Sequence, residues 1–359
     1  MVVTDVIKEG NKLYYLSASF AGLFSYDLIS GETTFLCRFE GYGLFDKFIC
    51  THMVLHKRNI IIAPGYGDTF YSYNIDCKDL HAVTFEDGLY STHDKGINEK
   101  FSFHCIIDDD VFFVGYNSLQ IVKINSEGTK GRVVLLKIPK EINGVNVSRL
   151  AIEGIVEDKT IFIPFIDVPK VLRFNIINEQ IEILDCRVDF KMLGMGSFEK
   201  HKYIYSLSEI RIVEVYFNEK KECVCELLDV HGELNKVLAM RNICRSVVLK
   251  NGLFVIPFRG NQIIKIDTKN KYLQSECDVS EFSGERTFLT AGKLDEKSFW
   301  GYSEEKDALM IYDAVEENYI RYLIPLFKIE GIIGERDVKA LFLHESVAEV
   351  KLEDFMKII

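Results

Sequence analysis

Residues 22–36, GLFSYDLISGETTFL, read as two strands joined by a turn. Apolar and aromatic residues run up to Asp27, Ser30-Gly31 reverses the chain, and a second apolar run follows. The FSYD core returns downstream as YSYN, VKIN, LRFN, IKID and MIYD, ending on Asn74, Asn125, Asn175, Asp267 and Asp313. Tyr216 stands where one more such residue is expected. Aspartate and asparagine suit that position because their short side chains bond nearby turn amides.

A second marker keeps the same register. A large apolar run follows a polar turn at Lys12 (KLYYLS), Asn59 (NIIIAP), Asp110 (DVFFVG), Lys159 (KTIFIP), Lys202 (KYIYSL), Gly252 (GLFVIP) and Ser298 (SFWGYS). The intervals are 47, 51, 49, 43, 50 and 46 residues. Each unit parses into four strands, with Gly10-Asn11 and Asn251-Gly252 as hairpin turns between the first two. Almost nothing before residue 326 has helical periodicity, and no unit has room for a crossover helix, so the sheets are expected to be antiparallel meanders. The pattern predicts an all-β, seven-bladed β-propeller of four-stranded antiparallel blades. The expected blades are residues 1–40, 48–87, 101–138, 147–186, 188–230, 244–279 and 284–326. A two-sheet sandwich would not hold such a period.

The units resemble blades of the kelch, quinoprotein and related propellers, and YDLISGE is similar to their common YDLxTGE blade ending. Trp300 is the only tryptophan, so neither the tryptophan–aspartate dipeptide nor quinoprotein docking tryptophans can recur, and the kelch double glycine is missing. The resemblance therefore implies architecture and no particular chemistry. The units begin and end in phase, which predicts a ring without strand exchange. In the tail, residues 327–359, Leu352, Phe355, Met356 and Ile359 share a helical face expected to pack over the seam between blades seven and one. The alternative role for that face is docking a partner or a second copy.

The chain has 359 residues, 48% apolar and 12% aromatic, enough to bury a large core. With 43 basic against 54 acidic residues its net charge is −11, which repels a phosphate backbone and argues against nucleic-acid binding. No run approaches the roughly 18 apolar residues of a membrane span, and no signal-peptide core is evident. The nine cysteines are scattered through apolar runs, as expected of reduced thiols in the cytoplasm.

In a propeller the innermost strand of each blade starts on one face of the ring, where the loop between its second and third strands also opens. Strand starts carry His52, His104, Arg149, Arg245 and Arg286, with Lys191 a further member. The loops carry Tyr66, Tyr116, Phe165, Phe258 beside Arg259, and Tyr302, with Phe20 a looser match. Together these predict a channel mouth that binds a peptide, an acidic protein segment or an anionic glycan, without cofactor or metal. The competing expectation is structural: aromatics pack between blades, and arginines pair with carboxylates such as Glu153 or Asp167.

Other clusters read as structural. His52 and His56 lie about 13 Å apart along a strand, too far to share a metal, and His56 is expected at the surface. Cys223 and Cys225 read as buried small residues, Asp108, Asp109 and Asp110 as a solvated turn, and Gly194 and Gly196 as an irregular inner strand. The alternative function is a lyase or hydrolase acting on a glycan or cyclic peptide. In it, His52 or His104 serves as general base or metal ligand, and Arg149, Arg245 or Arg286 holds an anionic group. The virginiamycin-inactivating lyases are built on propellers of similar size.

Overall fold

The computed structural model describes residues 2–85, 101–198, 201–206, 212–217, 222–227, 243–249, 251–267, 272–282 and 284–323. The tail helix expected beyond residue 326 lies outside them. Seven four-stranded antiparallel blades span residues 3–38, 50–82, 101–135, 155–186, 192–227, 243–278 and 290–323. A single 3-10 turn, Ser280–Phe282, is the helical content of the described residues. Among them no helix is long and apolar enough to cross a membrane.

The recurring aspartate or asparagine explains the period. Asp27 Oδ1 accepts the amides of Ile29 and Ser30, each at 2.9 Å. Asn74, Asn175 and Asp313 take the same two amides of their own turns. These amides hold the Asp27 carboxyl below the usual carboxylate range. The next residue then donates its amide to the blade's other hairpin: Leu28 to Asn11 O, Ile75 to Arg58 O, Ile176 to Lys159 O and Ala314 to Lys297 O, at 2.8–3.0 Å. One polar side chain therefore shapes one turn and sets the following residue to tie it to the other.

First strands of neighbouring blades approach one another at six of the seven steps around the ring, the step from blade three to blade four being the exception. The faces between blades hold the core. Phe70, Phe101 and Phe113 pack between blades two and three, Phe39 stacks on Tyr71 at 5.0 Å, and Phe254, Phe299 and Tyr312 join blades six and seven. The seam is filled the same way: Trp300 and Tyr302 of blade seven pack with Val3, Tyr15 and Phe24 of blade one. Thr290 Oγ1 donates to Val3 O at 2.6 Å across it. Every blade keeps its own four strands.

Two outer edges depart from a purely antiparallel plan. Thr84–Phe85 pairs in parallel with the outer strand of blade three, Lys130–Leu135. The outer strands of blades four and five pair in parallel at Asp185–Glu222 and Cys186–Cys223. An outer strand leaves a row of backbone groups unpaired, and these pairings cover part of it. On the hairpin-turn face, ion pairs step from blade to blade: Glu9–Arg58, Lys57–Asp109, Asp108–Lys159, Glu157–Lys202 and Lys8–Asp295. All but Lys202 are at least one-third exposed, so most contribute little.

The seam therefore depends on buried apolar side chains. Trp300→Ala is expected to destabilise the protein by about 3–5 kcal/mol, whereas Asp109→Ala, in an exposed turn, is expected to leave stability nearly unchanged. Urea denaturation of both variants checks this; similar losses would mean that the seam packing is not what closes the ring.

Candidate functional site

The first strand of a blade is paired on one side only, and in five blades it carries a β-bulge one residue from its start. The register skips a residue between Val3 and Asp5, Cys50 and His52, Phe101 and Phe103, Met192 and Gly194, and Ile243 and Arg245. A bulge bends the strand and re-aims the side chains beside it. Blade four has a longer break: Leu150 bridges Phe165, and regular pairing resumes only at Ile155. Glu153 sits in that break.

These irregularities turn polar groups into an axial cavity of about 410 Å³. Asp5, His52, His104, Glu153, Arg245, Ser246 and Lys293 line it. The lining has two halves. In the first, Asp5 accepts the amides of Val6 at 2.9 Å and Met53 at 2.7 Å, and His52 Nδ1 stands 3.6 Å from Asp5 Oδ2. His104, on the neighbouring blade, lies obliquely against Phe113, and its imidazole makes no hydrogen bond among the described residues. Burial first of all holds the His104 imidazole at a pKa of about 4; Asp5 opposes this, while His52 and Arg245 reinforce it. His104 is therefore neutral at physiological pH.

The second half is a charged strut. Arg245 Nε donates to Glu153 Oε1 at 2.6 Å and Nη1 to Ala291 O at 3.0 Å, so one guanidinium ties blade six to blades four and seven. Ser246 Oγ donates to Glu153 Oε2 at 3.1 Å, and the Tyr205 hydroxyl donates to the same oxygen. Burial penalises the arginine charge, yet Glu153 outweighs it and Arg245 stays protonated above its ordinary value. Burial and Glu153 together raise the Tyr205 pKa well above its usual value, keeping the phenol a donor.

Gly194 makes this strut possible. A Cβ there would lie 2.1 Å from the Tyr205 oxygen and 3.0 Å from Glu153 Cβ. With no side chain from blade five in the way, Glu153 reaches past that blade to Arg245. Gly196 faces the same cavity.

The remaining expected residues do not join this group. Phe165 is 0% exposed and Tyr302 1%, which corrects both from rim to core: they pack between strands and blades. Arg149 forks onto Asp167 through Nε at 3.2 Å and Nη2 at 2.6 Å, beside Tyr116. Arg286 lies over the Phe258 ring at 5.8 Å, near Glu304, and Arg259 is exposed next to them. Tyr66, 45% exposed, packs edge-on against Phe48 at 6.2 Å. Phe20 packs against Phe24 and Phe45, and Lys191 is exposed. The rim is thus a set of separate patches.

His56 is corrected from surface to interior: it is buried, with Nε2 3.7 Å from Asp109 Oδ1. Asp108 and Asp109 do occupy an exposed turn in left-handed backbone, paired with Lys159 and Lys57, while Asp110 pairs with Lys123. Among the described residues no three histidine, cysteine or acidic side chains converge as metal ligands. Burial raises the Cys37 and Cys105 thiols to about 12, as suits small apolar core residues; the side chains of Cys223 and Cys225 lie outside the described ones. Sequence reasoning missed Asp5, Tyr205, Ser246 and Lys293, and named Glu153 only as an arginine's partner.

No protein-family model matches the sequence, and no curated protein matches it. Among solved structures, virginiamycin B lyase from Staphylococcus aureus superposes with a TM-score of 0.58 at 10% identity, covering 84% of this chain and 92% of that one. A streptogramin B lyase gives 0.58 at 13% identity, covering 83% and 89%. The dihydro-heme d1 dehydrogenase NirN in complex with DHE gives 0.55 at 9% identity, covering 89% and 66%. Likeness at this level of identity establishes the propeller fold.

The depressed His104 pKa sets a pH dependence. Between the ordinary value of 6.5 and the folded value of about 4, the unfolded chain binds a proton that the folded protein does not. Stability from this group is therefore full above pH 6.5 and falls as pH drops toward 4. Urea denaturation is expected to show a loss of on the order of 1–2 kcal/mol between pH 7 and pH 5 that His104→Gln lacks. Equal losses in both proteins would contradict it.

Proposed function

We propose that this protein is a binding propeller whose ligand is a small polar molecule held in the axial channel, among the inner segments of all seven blades. The observation that carries this reading is the repeated bulge. It directs charged and imidazole groups from distant segments into one cavity whose volume lies in the range of small-molecule sites. His104 presents a neutral ring with one donor and one acceptor to that space. The separate rim patches, with Phe165 and Tyr302 inside the protein, offer less support for a continuous surface gripping a peptide or glycan.

A second reading makes the channel catalytic, and one observation favours it: His52 stands beside Asp5 in the manner of a base oriented by a carboxylate. One solved structure of similar fold is a catalytically inactive virginiamycin B lyase, a histidine-to-alanine variant, with quinupristin. Under this reading the chain is a lyase or hydrolase acting on a glycan or cyclic peptide, and replacing His52 and His104 together by alanine abolishes turnover. Turnover unchanged in that double variant would end it.

The binding reading is tested by blocking the channel. Ser197 lines the cavity, and Ser197→Trp places an indole in it. Native mass spectrometry of the protein purified from cell extract is expected to find small molecules on the wild type and none on Ser197→Trp. Tyr66→Ala and Arg259→Ala should retain them. Equal retention by wild type and Ser197→Trp would place the ligand elsewhere.

A further inference from the structure

The polar groups of the channel are unevenly matched. Each carboxylate oxygen already accepts at least one hydrogen bond: those of Asp5 from the Val6 and Met53 amides, those of Glu153 from Arg245, Ser246 and Tyr205. The nitrogens are less used. Arg245 engages Nε and Nη1, and among the described residues Nη2 makes no bond. His52 Nδ1 stands 3.6 Å from Asp5 Oδ2, beyond hydrogen-bond length, and the His104 imidazole bonds to no described residue. The Nη2 edge of Arg245 is therefore a charged donor left open in the cavity, and what completes it is an acceptor.

Charge narrows the class further. Asp5 and Glu153 both border the space, and of its two cations Lys293 is already paired with Glu296, so a dianion would face two carboxylates with one guanidinium edge left to meet it. A single negative charge, spread over two coplanar oxygens, suits the one open edge of a planar guanidinium. Glu153 and Ala291 O fix that guanidinium from two sides, so little side-chain freedom is lost when a ligand meets it.

We propose that the channel ligand is a small monocarboxylate, its two oxygens meeting the Nη2 edge of Arg245 and the imidazole donors of His52 and His104. This rests on the axial channel being the ligand site. Arg245 is then the recognition residue, Glu153 and Tyr205 are positioning residues that hold it, and the histidines select for an acceptor.

Thermal unfolding of the full chain tests the assignment with pyruvate and benzoate as probes. Benzamide, benzylammonium and inorganic phosphate serve as neutral, cationic and dianionic counterparts at matched ionic strength. Benzoate or pyruvate is expected to raise the Tm by about 2 °C at tenfold saturation, with no rise from the three counterparts. The rise should vanish in Ser197→Trp, and in the paired replacement Arg245→Met with Glu153→Met, which leaves no buried charge unpartnered. It should persist in Tyr66→Ala. His104→Gln, which keeps a donor, should weaken the rise rather than remove it.

No rise from either carboxylate, or an equal rise from benzamide or benzylammonium, overturns the proposal. Phosphate raising the Tm more than benzoate also overturns it, in favour of a dianion. A benzamide rise that disappears in Ser197→Trp would leave the channel as the site and refute only the charge. A carboxylate rise that survives Ser197→Trp would refute the channel as well.

Discussion

A strand on the axis of a ring has a partner on one side only, and its free edge must find hydrogen bonds across the gap to the next blade. Much else in this protein follows from that requirement. Asp5 reaches from blade one to the Met53 amide of blade two, and Ser102 Oγ of blade three donates to Ala151 O of blade four. Ile152 donates to Leu193 O, and Met195 to Glu153 O, between blades four and five. Arg245 reaches Ala291 O of blade seven, and Thr290 returns to Val3 O of blade one. Backbone groups that would otherwise be buried and unpaired are thus satisfied by side chains and by bulged backbone. The polar character of the channel is a consequence of closing the ring.

The fold was legible because its signals are local. A turn-capping aspartate acts on amides two and three residues away, and a large apolar run marks the second strand, so both can be read in any one unit. The site was legible in part. His52, His104 and Arg245 stand at strand starts, where the reading placed them. Asp5 occupies in blade one the position that His52 and Arg245 take in theirs, but a short acidic residue near the chain start carried no signal by itself. Tyr205 and Ser246 are meaningful only through Glu153, which lies 52 and 93 residues from them. Strand alternation also fails at a bulge, where one extra residue reverses which side chains face inward. A marker was available: VTD, CTH and FSF place an apolar residue, a hydroxyl residue and a re-aimed residue at the starts of the first three blades.

The loops misled for a different reason. An aromatic after proline or glycine recurs both at a rim and where a strand ends against its neighbour. Phe165 continues its strand through the bridge to Leu150, and Tyr302 lies within the strand Ser298–Ser303, so both belong to the interior. Only burial separates these cases, and burial depends on the neighbouring blade.

The ring is least regular where its charges are concentrated. Blades four and five share an outer edge, blade four has the broken inner strand that carries Glu153, and blade five contributes a glycine where a side chain would obstruct it. Repeats hold stability by sameness, and a departure that brings a partly buried carboxylate and guanidinium together does not stabilise by itself, because desolvation offsets much of their attraction. An apolar plug of similar volume would close the axis with fewer demands on its neighbours. The strut instead keeps the channel open and polar and fixes one guanidinium edge within it. Under the proposed reading, closing the ring in this way also leaves the fixed, polar surface that a small ligand requires.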